Sequence, residues 1–123
     1  MSEFKVTESY YRLLNIIWET QPIPLRKFVK IAEERLGWTR STIITVLNKL
    51  AANGYCVNEE RVVKALIMRE EVEREDSEEI VSKRFGGSLP HFIEAYISTG
   101  ALNENDADEI IEMLKSYKDR PSE

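Results

Sequence analysis

Between Gly37 and Gly54 the chain carries short polar and cationic side chains, with no acidic residue before Glu59. Hydroxyl and amide groups can approach base edges, Thr and Ile methyls can pack on a thymine methyl, and Arg or Lys can reach phosphates. A solubilising face is normally rich in Glu and Lys instead. The pattern therefore favours a DNA-contacting helix, with a plain surface helix of an interaction domain as the alternative. The residues expected to face outward are Arg40, Ser41, Ile44, Thr45, Asn48 and Lys49.

The same segment has an apolar stripe that predicts how this helix is held. Thr39 is the expected N-cap, and Gly54 ends the helix. The residues at helical spacing that should face a core are Ile43, Val46, Leu47, Leu50 and Ala51.

Two more amphipathic helices are predicted ahead of it. The first begins after an N-cap at Thr7, and the proline-containing run 21–24 stops it. Pro24 can open the second helix, which Gly37 ends. The apolar stripes are Tyr11, Leu14, Ile17 and Trp18 in the first helix, and Leu25, Phe28, Val29, Ala32 and Leu36 in the second.

A β-hairpin is predicted after the third helix. The strands are expected at 55–57 and 61–68, with a turn at 58–60. Helix, helix, helix and hairpin in this order is the layout of a winged helix. The turn is short and acidic and would repel a phosphate backbone, so Arg61 and Lys64 are the expected DNA contacts of the wing.

The remainder of the chain is predicted to be helical. The stretch from Glu70 to about Arg84 is charged and sparsely apolar, and Phe85 to Ser88 breaks the helix. Two apolar helices follow, the second capped by Asn103, and they have more apolar surface than one chain can cover. A homodimer with an isologous interface is the simplest explanation. The residues expected in that interface are Leu89, Phe92, Ile93, Tyr96, Ile97, Ile110, Ile111 and Leu114.

The expected fold class is therefore mainly α with a small β-hairpin. It comprises an N-terminal winged helix-turn-helix domain, residues 1–69, and a C-terminal helical dimerisation domain, residues 70–123. The charge distribution supports this division. Residues 1–69 hold 11 Lys/Arg and 7 Asp/Glu, whereas residues 70–123 hold 6 and 15, so the overall charge of −5 conceals a basic half and an acidic half.

Other chemistry finds little support. Cys56 is the only cysteine and His91 the only histidine, so neither a disulfide, a metal site nor a catalytic triad is expected, and no cofactor is implied. The carboxylates of 70–79 are typical of a solvated face, and Gly86-Gly87 lacks the spacing of a phosphate-binding loop. An enzyme is therefore not expected. Without an apolar run long enough for a membrane span or a signal peptide at Met1–Lys5, we expect a cytoplasmic protein with no membrane partner.

Several motifs resemble those of the BlaI/MecI/CopY family, the penicillinase-type repressors of bacteria. The resemblance covers nearly the whole chain. It lies in Tyr11, Leu14 and 15–18 (Asn-Ile-Ile-Trp), in the segment from Gly37 to Leu50, in Gly86-Gly87-Ser88, and in 102–106 (Leu-Asn-Glu-Asn-Asp).

This resemblance implies a winged helix with a C-terminal dimerisation region, and a repressor that binds a pseudo-palindromic DNA operator. By position, Thr42 and Thr45 match DNA-contacting threonines of the family, and Lys49 replaces a frequent Arg. Ser41 and Ile44 stand where Lys and Arg are common. Losing those two cations should flatten the salt dependence of binding by up to about one logarithmic unit per lost contact per subunit.

The resemblance bears on induction as well. Some members are cleaved at an Asn-Phe bond, and the corresponding residues here are Ala95 and Tyr96. Because the Asn is absent, cleavage by the same protease is not expected. Induction by another protease stays an open alternative. The copper-responsive branch has Cys-x-Cys pairs near its C-terminus, which this chain lacks. Two other functions stay open: a winged helix that binds protein instead of DNA, and a regulator that responds to a small molecule.

Overall fold

The structure is a computed structural model that describes residues 6–121, so the expectation for Met1–Lys5 lies outside the described residues. Within these residues the chain forms six helices and a small antiparallel sheet, which confirms the predicted fold class: mainly α with a winged helix. The elements are α1 Glu8–Thr20, β1 Ile23–Pro24, α2 Leu25–Leu36, α3 Arg40–Ala52, β2 Cys56–Glu59, β3 Val62–Ala65, α4 Arg69–Arg84, α5 Leu89–Ser98 and α6 Glu104–Lys118.

Side chains cap three helices at the predicted residues. The hydroxyl of Thr7 accepts a hydrogen bond from the Tyr10 N–H at 3.3 Å at the start of α1. Thr39 accepts one from Thr42 at the start of α3, and Asn103 accepts one at the start of α6. These caps satisfy backbone N–H groups that have no partner within the helix.

The sheet has a strand that the sequence analysis did not predict. Residues 21–24 were interpreted as the stop of the first helix, with Pro24 opening the second, yet β1 pairs with β3, with Ile23 opposite Val63 and Pro24 opposite Val62. The sheet order is β1-β3-β2, so β3 is central. A two-residue strand has no periodicity to recognise, and its pairing depends on the fold.

The hairpin also differs from the prediction. We call β2, β3 and the turn between them the wing. Because Glu59 pairs with Val62, the turn consists of Glu60 and Arg61, and the prediction of a turn at 58–60 was wrong. Both turn residues have left-handed φ, 52° and 63°, the backbone that a two-residue turn needs to match the strand twist. Arg61 is therefore in the turn, and β3 ends at Ala65 instead of residue 68.

One core joins the three helices, the sheet and the start of α4. Ala51, predicted to lie in the apolar stripe of α3, is exposed, and Ile44, predicted to face outward, is partly covered by the core. The fully buried positions of α3 are spaced by three or four residues, and Ile44 and Val46 beside them are partly covered by the core. The residues of α3 that are fully buried are Ile43, Leu47 and Leu50.

Backbone contacts divide the chain into two compact units, up to Glu78 and from Glu79 onward. The first unit takes in the start of α4, because Val72 is buried in its core. The second contains α5 and α6, and no residue described between 79 and 121 is buried. The functional boundary expected between residues 69 and 70 stays a prediction. Within residues 6–121, no helix has the length and apolar character needed to cross a membrane.

Candidate nucleic-acid interface

The outer face of α3 presents the polar side chains that the sequence analysis singled out. Ile44 lies at the edge of this face, with its side chain partly covered by the core. The face is thus polar along its centre and apolar along one border. Its exposed members are Arg40, Ser41, Thr42, Thr45, Asn48 and Lys49.

Both ends of α3 are tied to neighbouring structure. At the start, the Thr39 hydroxyl donates to the Thr42 hydroxyl at 3.1 Å, so the Thr42 side chain is part of the cap. At the end, the Asn53 amide donates to the Lys49 carbonyl at 2.8 Å. The Tyr55 N–H donates to the Leu50 carbonyl, which joins α3 to the wing. The face is therefore carried by a helix that is held at both ends and along its buried stripe.

The cations near this face are available to a polyanion. Two ion pairs of the first unit, Arg12 with Glu8 and Arg35 with Glu19, lie elsewhere on its surface. Within residues 6–121, no ion pair engages Arg40 or Lys49. Binding a phosphate would therefore not require breaking an existing pair.

The wing mixes both signs of charge. Arg61 and Lys64 are exposed as expected. Strand pairing puts Lys64 opposite Val57 and Glu59 opposite Val62, so Lys64 and Glu59 are diagonal neighbours on one face of the sheet. Glu60 adjoins Arg61 in the turn. Each wing cation thus has a carboxylate nearby, which lowers the attraction of the wing for phosphate.

Helix α2 has cations that the sequence analysis missed. Arg26, Lys27 and Lys30 are exposed, and no acidic residue occurs on α2 before Glu33. In a helix-turn-helix the helix before the recognition helix crosses the nucleic-acid backbone, so these side chains are candidates for phosphate contacts. The signal was in the sequence, because these positions lie opposite the apolar stripe of α2.

The buried thiol takes no part in this surface. Cys56 is covered by the core and approaches the Leu47 carbonyl at 3.9 Å. Burial raises the pKa of Cys56 to about 11, which keeps the thiol neutral and unreactive at neutral pH. The residues that the structure describes contain no group of three side chains able to hold a metal ion.

Comparison with known proteins identifies the family of this chain. The family model described as "Penicillinase repressor" matches residues 6–116. The chain belongs to the penicillinase repressor family. A curated relative, the penicillinase repressor of Bacillus licheniformis, is 19% identical over an alignment of 124 residues. The alignment covers 97% of this chain and 96% of the relative. The resemblance inferred from the motifs is confirmed.

Family membership defines the broad function. As a member of the penicillinase repressor family, the protein is a DNA-binding transcriptional repressor and not an enzyme. The DNA contacts predicted for individual residues from Arg40 to Lys64 stay predictions. Their exposure in the structure shows which of these side chains are accessible at the surface.

The residues predicted to form a dimer interface all lie in the second unit and are accessible. Leu89 and Ile97 are each 52% exposed, and Phe92 and Ile110 are partly covered. Phe85 packs edge-on against Phe92, with ring centroids 5.0 Å apart. The rest of the predicted set is exposed: Ile93, Tyr96, Ile111 and Leu114. Ala95, in the predicted proteolytic switch with Tyr96, is exposed on α5 as well.

Proposed function

We propose that this penicillinase repressor family member binds a pseudo-palindromic operator as a symmetric homodimer, with α3 of each subunit in the major groove. The observation that carries the proposal is the exposed, acid-free face of α3. A helix fits the major groove of B-DNA, where each base pair presents a distinct pattern of donors, acceptors and methyl groups. The face offers hydroxyls, an amide and methyl groups that match those features.

The contacts divide by chemistry. Thr45 and Asn48, on the exposed middle of α3, read base edges, and the methyl groups of Ile44 and Thr45 contact thymine. Ser41 and Thr42 lie in the first turn, where recognition helices approach bases most closely. The phosphate contacts are Arg40 and Lys49 on α3, with Arg61 and Lys64 on the wing.

The dimer is formed by the apolar faces of α5 and α6. Leucine, isoleucine and tyrosine side chains are exposed together on these helices, and clustered exposed apolar side chains are typical of an interaction surface. A two-fold interface makes the two recognition helices enter successive major grooves about 34–36 Å apart. The bound dimer represses transcription by excluding polymerase, which places its action in the cytoplasm with the chromosome.

An inducing protease is a second element of the proposal. The Ala95–Tyr96 bond lies in α5, within the proposed dimer interface, and cutting there would divide the interface from the inside. Mass spectrometry of the protein recovered from induced cells tests this step. New termini at 95 and 96 support it, and an intact chain under full induction contradicts it.

A gel-shift titration tests the docking of α3. Thr45→Ala should weaken base discrimination by up to about 1–3 kcal/mol and leave the fold unchanged. Thr45→Ser keeps the hydroxyl without the methyl group and Thr45→Val keeps the methyl group without the hydroxyl, so the pair shows which group reads the base. Lys49→Ala should weaken binding to every sequence and reduce the salt slope by about one per subunit.

The control for Lys49 is Lys118→Ala, which removes an exposed lysine from the second unit. Its affinity and salt slope should equal those of the unaltered protein. Unchanged affinity in both the Thr45 and Lys49 variants would contradict the docking of α3.

A further inference from the structure

Strand β3, the central strand of the sheet, is joined along its whole length to the segment before α2. At one end, the side-chain carbonyl oxygen of Gln21 accepts a hydrogen bond from the Ala65 N–H at 2.7 Å. In the middle, β1 pairs with β3 through Ile23. At the other end, the Leu25 N–H donates to the Arg61 carbonyl at 2.8 Å. The segment 21–25 therefore follows β3 from Ala65 to Arg61.

These outer ties compensate for a weak strand. Residues 22 and 24 are both proline, which has no N–H, so the backbone of β1 has only the N–H of Ile23 to donate. A strand of this length would hold β3 poorly by itself. The side chain of Gln21 supplies an acceptor beyond one end of β1, and the Leu25 N–H supplies a donor beyond the other.

The tie at Arg61 also serves α2. The N-cap of this helix is Pro24, which has no side-chain acceptor for the free N–H groups of the first turn. The Arg61 carbonyl satisfies the first of them. The wing turn is thereby joined to α2, which packs against α3. The two cations of the wing thus belong to the same rigid scaffold as the recognition helix.

We propose that Gln21 is a positioning residue for DNA binding: its hydrogen bond to Ala65 holds the wing so that Arg61 and Lys64 meet the phosphates while α3 occupies the groove. This inference rests on the proposed function. Gln21 contacts no DNA in this scheme and acts through the wing cations. A wing held in place beforehand loses less conformational freedom on binding, which improves affinity without adding a contact.

Two variants of Gln21 separate the hydrogen bond from the size of the side chain. Gln21→Met has a similar length and no carbonyl acceptor, whereas Gln21→Glu keeps an acceptor oxygen at the same reach. Amide hydrogen exchange at Ala65, measured on the full chain without DNA, should be faster by about tenfold or more in Gln21→Met and remain slow in Gln21→Glu. Equal exchange in all three proteins would overturn the tie itself.

A double-mutant cycle with the wing cations then tests the role in DNA binding. The second background is Arg61→Asn with Lys64→Gln, because Asn tolerates the left-handed backbone at 61 and Gln preserves the length of Lys64. Gln21→Met should lower operator affinity about 3- to 10-fold in the unaltered background. In the background without wing cations its effect should fall below about 1.5-fold.

The control is Ser77→Ala, which removes another exposed side-chain hydrogen bond of the first unit, from Ser77 to the Arg74 carbonyl. Its operator affinity should be unchanged. An equal effect of Gln21→Met in both backgrounds, or no effect in either, would overturn the positioning role. If the unaltered protein prefers no duplex, the proposed function fails, and the exchange experiment still reports whether the tie exists.

Discussion

The two compact units of this repressor handle their apolar side chains in opposite ways. In the unit up to Glu78, helix α3 buries Ile43, Leu47 and Leu50 fully, and Leu47 is only 1% exposed. In the unit from Glu79, helix α6 has a comparable stripe, yet Leu114 is 55% exposed. Both helices have the amphipathic pattern typical of packed elements. The pattern predicts which face packs, but it does not say whether the cover comes from the same chain or from another.

This difference supports the proposed division of tasks between the two units. The first unit has a complete core within one chain and can present a polar face to DNA in a fixed geometry. The second unit leaves many of its apolar side chains exposed, which fits the dimerisation proposed for it. Docking of α3 and pairing of subunits should therefore be disrupted by different substitutions.

Charge on the exposed apolar face should have the largest effect. Ile93→Asp would put an unpaired carboxylate into the proposed interface, so sedimentation should detect monomers at micromolar concentration. Operator affinity should fall by about 10²- to 10⁴-fold, because two linked half-site contacts become independent. Glu94→Gln, next along α5, is the control and should stay dimeric. An intact dimer in Ile93→Asp would remove the distinction between the units.

Truncation of matched leucines sharpens the comparison. Leu47→Ala should lower the free energy of unfolding of the first unit by about 2–5 kcal/mol, because it leaves a cavity in a closed core. Leu114→Ala, made in the monomeric Ile93→Asp background, should change stability by less than about 0.5 kcal/mol, as at an exposed position. Chemical denaturation, followed by spectroscopic signals from each unit, measures both changes in the free energy of unfolding. Similar losses would mean that Leu114 is covered within its own chain.

Titration of the buried Cys56 thiol at alkaline pH should have the smallest effect on the free energy of unfolding. Burial raises the pKa of Cys56 to about 11, from an ordinary value near 9. Between these values the unfolded chain has lost the thiol proton and the folded chain has kept it. The free energy of unfolding should therefore decrease as pH rises from about 9 to 11. Cys56→Ala should show a shallower decrease over this range, and identical slopes would indicate that the thiol is solvated.

Features that depend only on residues close together in the chain were predictable from the sequence. Thr7, Thr39 and Asn103 were recognised as N-caps because a cap depends on a few adjacent residues. The buried row on α3 and the acid-free face opposite it followed from helical spacing. These features were enough to predict the fold class, whereas the family was predicted from the resemblance of several motifs along the chain.

Features that depend on packing were not predictable in the same way. Strand β1 exists because Ile23 meets Val63, forty residues further along the chain. The turn at Glu60 and Arg61 results from strand register, and nothing in these two residue types favours left-handed φ. The partial burial of Ile44 depends on the angle at which α3 packs. The tie from Gln21 to Ala65 likewise becomes visible only once both residues are placed.

Selection of bound sites from random duplex DNA at about 150 mM salt, with the unaltered protein and Thr45→Ala in parallel, tests the central claim most directly. The unaltered protein should enrich a two-fold symmetric motif whose half-sites lie about one helical turn apart. Thr45→Ala should lose preference at the same base pair in both halves and keep the spacing. Enrichment of no motif by the unaltered protein, or the same motif for both proteins at every position, would contradict recognition by α3.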